Sequence, residues 1–115
     1  MKIDSVKFVL QAKDMDRAVE FYRDVMGLAV TQHSPTSSIL THRDLTLSLQ
    51  DGDAKAGPTC LAFEVSDIET ACREIKERGG EVLQEPKKFQ GKPIVFAEVT
   101  DPEGNGFTMS QYAGF

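Results

Sequence analysis

Two stretches of the chain alternate with a period of two. Phe8, Leu10 and Ala12 fall on one side of the first and Lys7, Val9 and Gln11 on the other; Leu61, Phe63 and Val65 oppose Cys60, Ala62 and Glu64 in the second. Such alternation predicts a strand with one face in a core. A helical pattern follows each. Asp14 is placed to cap a helix whose Met15, Ala18, Val19, Tyr22, Val25 and Met26 recur at helical spacing, and Gly27 ends it. The adjacent Phe21 and Tyr22 read as packing residues. Ser66-Asp67-Ile68-Glu69 fits a capping box, Ile68, Ala71, Cys72 and Ile75 share one face, and Gly79-Gly80 closes that helix.

Three short extended runs come after each helix. The first set spans Leu28–His33, Ser38–His42 and Leu45–Gln50, and the second Glu81–Gln84, Ile94–Thr100 and Phe107–Gln111. Turn residues separate them at Ser34-Pro35, Arg43-Asp44, Glu85-Pro86-Lys87-Lys88 and Asp101-Pro102-Glu103-Gly104-Asn105-Gly106. Laying Val9–Asp16 over Ala62–Glu69 shows that the chain is built twice from one plan of strand, acidic turn, helix, glycine and three strands. The fold class is therefore α+β, with module 1 over residues 1–52, a polar Gly/Pro linker over 51–58 and module 2 over 58–115, all within one domain.

Composition narrows the partners. A chain of 115 residues is too short for separate cofactor and substrate domains. Thirteen Lys plus Arg against 18 Asp plus Glu give a formal charge of −5, the opposite of a phosphate-binding footprint, so nucleic acid is not an expected partner. No apolar stretch is long enough to span a membrane, no signal core follows the first lysines, and Cys60 and Cys72 form no CxxC motif. A soluble cytoplasmic protein is expected.

Lys13-Asp14-Met15-Asp16-Arg17-Ala18-Val19-Glu20-Phe21-Tyr22 with Gly27-Leu28, and Val99-Thr100-Asp101-Pro102-Glu103-Gly104-Asn105, resemble the vicinal oxygen chelate superfamily of glyoxalase I, bleomycin-resistance proteins and extradiol dioxygenases. The resemblance covers nearly the whole chain. It implies two βαβββ modules whose mixed sheets curve into a cup, with the helices on the convex side and the ligand on the concave side. In metal-dependent relatives the first and last strands of each module supply His or Glu to a divalent ion. The matching positions here hold Lys7, Thr46 or Ser48, Cys60 and Thr108. An ammonium repels a cation and a hydroxyl is a poor ligand, so neither metal nor other cofactor is expected.

If the apolar alternation set faces the helices, the cup face carries Lys7, Gln11, Ser48, Gln50, Cys60, Glu64, Phe96, Glu98 and Thr108, which are the candidate ligand-binding residues. An antiparallel sheet also carries a polar solvated face without any ligand. Lys7 reads as half of an ion pair, a substrate anchor or, with Glu98, an acid–base catalyst. Cys60 has no neighbouring His in sequence and reads as a small packing residue or a nucleophile. A different metal site would have to draw on Cys60, Glu64 and Glu98 with His33 or His42, whose facing the sequence does not fix. The resulting expectation is a metal-independent binder of a small organic molecule, working as a homodimer that closes two half-open cups. The alternative is a glyoxalase-like lyase, isomerase or dioxygenase using an atypical metal site or Lys7 and Glu98.

Overall fold

The computed structural model describes residues 1–55 and 57–113. In chain order the elements are β1 (Phe8–Ala12), α1 (Met15–Glu20) running into a π-helical turn (Phe21–Val25), β2 (Ala29–His33), β3 (Ser37–His42), β4 (Leu45–Asp51), β5 (Gly57–Glu64), α2 (Ile68–Glu77), β6 (Val82–Lys88), β7 (Ile94–Thr100) and β8 (Asn105–Tyr112). They group into two compact units, Met1–Ala54 and the chain from Lys55 onward. No helix among the described residues is long and apolar enough to cross a membrane.

The first unit is a four-stranded mixed sheet in the order β1-β4-β3-β2, with β1 parallel to β4 and the other pairs antiparallel. Leu10 and Ala12 of β1, Leu40 of β3 and Leu47 and Leu49 of β4 are buried, and α1 packs on β3 and β4 with Met15, Ala18 and Val19. The second unit repeats the plan: its order is β5-β8-β7-β6, with β5 parallel to β8. There α2 buries Ile68, Cys72 and Ile75 over Leu61, Ala97, Val99, Phe107 and Met109. Each unit is one βαβββ module and the class is α+β, as the repeated pattern predicts.

Local departures have physical causes. The first helix does not run evenly to Gly27. Its second half widens, with the Met26 amide reaching the Phe21 carbonyl at 3.2 Å, five residues back. The extra residue in that turn brings two neighbours in sequence, Phe21 and Tyr22, into the core together, where their rings meet edge-on at 5.2 Å. The cap of α2 is Asp67 rather than Ser66. One Asp67 carboxylate oxygen accepts from the Thr70 amide at 3.1 Å and the other from the Thr70 hydroxyl at 2.8 Å, a double service that a single serine hydroxyl cannot give. The edge strand β6 continues through Glu85-Pro86-Lys87-Lys88 instead of breaking there. Pro86 is tolerated because β6 pairs on one side only and slips register twice before Lys87.

Two turns fix the second unit. Between β7 and β8, the buried Asp101 carboxylate accepts from the Glu103 amide, the Asn105 amide and the Asn105 side-chain amide, each at 2.9 Å. The Asp-Pro-Glu-Gly-Asn sequence is thus a knot of hydrogen bonds about one acid, with Gly104 at φ +94 turning the chain. After α2, Gly80 donates to the Ile75 carbonyl at 2.9 Å and lies against the Thr100 backbone.

Candidate functional site

In each unit the helix covers one face of the sheet and leaves the alternate residues on the other. On the open face of the first sheet, register aligns Val9, Ser48 and Ile39 in one row and Gln11, Gln50 and Ser37 in the next. The Gln50 side-chain amide donates to Ser48 Oγ at 2.7 Å and to Ser37 Oγ at 3.2 Å, so Gln50 and Ser48 form one polar patch, with Ser48 itself buried. Gln11 is exposed beside it. Lys7 precedes β1 rather than belonging to it, and it is exposed. It makes no ion pair among the described residues.

The open face of the second sheet holds the other candidates. Glu98 and Thr108 are cross-strand partners, and Phe96, Ser110 and Glu64 form the adjacent row. Between Pro58 and Ala62, β5 carries extra residues against β8, and Cys60 at their centre has φ +67, a left-handed conformation unusual for a side chain with a Cβ. Thr59 secures this bulge: its hydroxyl donates to the Gly106 carbonyl at 2.7 Å and accepts from the Leu61 amide at 3.2 Å. A Cβ on Gly106 would meet the Gly57 carbonyl oxygen at 2.9 Å, so only glycine lets β5 and β8 approach there.

The bulge opens a cavity of about 330 Å³ that brings Cys60, Glu98 and Thr108 together with Thr100, Leu83 and Phe107. A larger hollow of about 640 Å³ lies over the β6–β7 hairpin, lined by Lys88 to Pro93; it gathers no candidate residue and opens broadly to solvent. The smaller cavity is the better site on chemistry. Phe96 and Glu64 do not line it. The Phe96 ring is held instead by Phe89, centroids 5.6 Å apart, and by Lys87, whose Nζ sits 5.5 Å from the ring centroid. Leu83, exposed on an edge strand with irregular pairing, was not legible as a site residue because no clean alternation marks its side of the sheet.

The two histidines belong to the first sheet. His33 Nδ1 is 2.7 Å from Ser38 Oγ, and His33 Nε2 is 3.2 Å from Asp16 on α1, which turns the ring to the helix side of its sheet. His42 pairs in register with Leu45 and is exposed. Among the described residues no group of three or more His, Cys, Asp and Glu is arranged to hold a metal ion. The residues expected at a metal centre are a poor donor set for a divalent cation. They offer an exposed ammonium at Lys7, a hydrogen-bonded buried hydroxyl at Ser48, a hydroxyl at Thr108 and a single sulfur at Cys60.

The shifted ionisations lie elsewhere. Burial, aided by Glu85 and Glu69, pushes the Cys72 thiol up and makes it a poor nucleophile. The Lys76 ammonium is raised by its hydrogen bond to Glu85 at 2.7 Å, and Asp67 is held low by the Thr70 hydrogen bonds. Cys72 and Lys76 lie on α2 and Asp67 caps it, on the covered side of the second sheet, while a fourth group, Arg23, raised by its hydrogen bond to Asp24, lies in the first unit.

Over 112 residues, 84% of this chain and 81% of the relative, the sequence is 31% identical to a probable lactoylglutathione lyase of Vibrio cholerae. It is 24% identical over 119 residues to a lactoylglutathione lyase of Arabidopsis thaliana, matching 90% of this chain and 42% of that longer protein. A hypothetical protein from S. aureus has the same fold, with a TM-score of 0.78 at 20% identity over 96% of this chain and 95% of the other. A family model matches residues 2–109, and the chain belongs to the glyoxalase/bleomycin resistance protein/dioxygenase superfamily.

Proposed function

We propose that this protein binds a small organic molecule on the open face of its second sheet, in the cavity of Cys60, Glu98 and Thr108, without a divalent metal. The chemistry of the donor set carries the reading: Lys7, Ser48, Cys60 and Thr108, which the family resemblance assigns to the metal positions, include no His, Asp or Glu. Without that Lewis acid, the polarisation of vicinal oxygens has no source in this chain. The cavity remains, with an apolar floor and a few polar groups, the usual make-up of a small-molecule site. The chain works in the cytoplasm as a homodimer. The free edges of β1 and β5 favour such pairing.

Metal analysis of protein purified without chelator, with thermal-shift titrations of Ni, Zn, Mn and Fe, tests the reading. A flat response to all four, together with a melting shift from a small-molecule set, is the expected result. Stoichiometric metal with a shift would overturn it. Gel filtration with light scattering tests the dimer, and a monomer at micromolar concentration would refute it. The 31% identity to a probable lactoylglutathione lyase favours a second reading, a lyase using Lys7 and Glu98. Turnover of lactoylglutathione that is lost in Lys7→Met would establish it.

A further inference from the structure

The open face of the second sheet carries two opposite charges that do not meet. Lys87 and Phe96 are register partners, and the Lys87 ammonium lies over the Phe96 ring. Glu98 is two residues further along β7 and lines the cavity. The Lys87 ammonium thus sits over the ring, and Glu98 follows in the next row of the same face, about 7 Å along β7 from Phe96. Neither forms an ion pair among the described residues. No acidic residue interrupts the chain between Glu85 and Glu98, while Lys87, Lys88 and Lys92 fall within it, so the hairpin end is locally basic in a chain of net charge −5. The face thus carries a positive charge over an aromatic ring and a negative one in the next row.

A ligand complementary to that order has an anion at one end, an apolar middle and a cation at the other. We propose that the site takes a small zwitterion: its carboxylate lies at Lys87, its apolar middle lies beside Phe96 toward Leu83, and its ammonium lies at Glu98 in the cavity. Glu64 is a second carboxylate on this face, in the row of Phe96 and Ser110, but it does not line the cavity. The ammonium therefore belongs with Glu98, the carboxylate that lines the cavity. This inference rests on the binding reading above and goes beyond it in naming the ligand's charge pattern.

The probe is 4-(aminomethyl)phenylacetate, whose ring holds amine and carboxylate at opposite ends. Its N-acetyl form keeps only the anion and its carboxamide keeps only the cation. By calorimetry the zwitterion should bind about tenfold more tightly than either single-charge form, as expected of one charge-assisted hydrogen bond at each end. In Glu98→Gln the zwitterion and the N-acetyl form should bind alike, and in Lys87→Gln the zwitterion and the carboxamide should. Equal binding of all three by the native protein overturns the inference, as does a difference that survives both substitutions or an equal loss in Glu64→Gln. If none of the three binds while other small molecules raise the melting temperature, the zwitterion fails and the binding reading stands. If nothing binds, both fail.

Discussion

Replacing Gly80 by alanine puts a methyl group where the fold has no space for one. A Cβ built on Gly80 would sit 2.3 Å from the Thr100 carbonyl oxygen, 2.7 Å from Ile75 Cγ2 and 3.3 Å from the Ile75 carbonyl oxygen. Two of these atoms are backbone, and Ile75 is fully buried, so none can swing aside. Relief requires the end of α2 and the end of β7 to part by about 1 Å, given ordinary contact distances of roughly 3.5 Å. That movement strains the hydrogen bonds from Gly80 to the Ile75 carbonyl (2.9 Å), from Thr100 to the Glu81 carbonyl (2.8 Å) and from Glu81 to the Thr100 hydroxyl (3.1 Å). Overpacking costs about 1–3 kcal/mol and each weakened bond about 0.5–1 kcal/mol, so Gly80→Ala should destabilise by about 3–5 kcal/mol. In a chain of this size the melting temperature should fall by on the order of 15 °C. The neighbouring Gly79 supplies the control. Its Cβ would meet nothing closer than Pro102 at 3.7 Å, but its φ is +94, so Gly79→Ala should cost only about 1–2 kcal/mol. Urea titrations of both variants by far-UV circular dichroism give the two numbers. If Gly80→Ala lies within 0.5 kcal/mol of native, or costs less than Gly79→Ala, the close packing of α2 on β7 is refuted.

Asp101→Ala strips three donors of their buried acceptor and should cost about 3–5 kcal/mol, whereas Asp101→Asn, which can still accept two of the bonds, should cost about half of that; chemical denaturation of both variants checks the order. At neutral pH a thiol reagent should modify the exposed Cys60 and spare Cys72, whose raised pKa and burial both slow attack; mass spectrometry of the modified peptides reads this directly. Asp67 titrates below the ordinary aspartate range in the folded protein, so its capping contribution is full above that range and is lost as the pH falls through the lowered value. Asp67→Ala should therefore flatten part of the acid limb of a stability–pH curve, and an unchanged limb would refute the cap. Cys60→Gly should leave the fold at least as stable as native, because glycine adopts φ +67 freely, and a large loss would refute the bulge.

Alternation and capping residues made the strands and helices legible because their causes are local: a period of two, a carboxylate ahead of a helix, glycines after it. What stayed hidden depends on contacts between distant residues. The π-helical turn exists because Phe21 and Tyr22 both find room in the core, which no spacing on the helix announces. The bulge at Cys60 adds two residues to β5, so it leaves the alternation unbroken and invisible while creating the cavity. In β2 the register slips by one residue between Val30 and Gln32, which places His33 opposite Ser38 and carries it to the side of the sheet that simple alternation denies it. Cys60, Glu98 and Thr108 were recoverable as neighbours because cross-strand pairing follows from the strand order; Leu83 was not, since an edge strand with slipped pairing has no fixed facing in sequence.

The proline in β6 bears on how the protein fails. Pro86 offers no amide to an incoming strand, and Lys87 and Lys88 beside it repel a second copy of themselves, so that margin is a poor template for fibril growth. The corresponding margin of the first sheet, Ala29-Val30-Thr31-Gln32-His33, has neither proline nor lysine. Under heat or agitation, aggregation of this chain should begin in its N-terminal half.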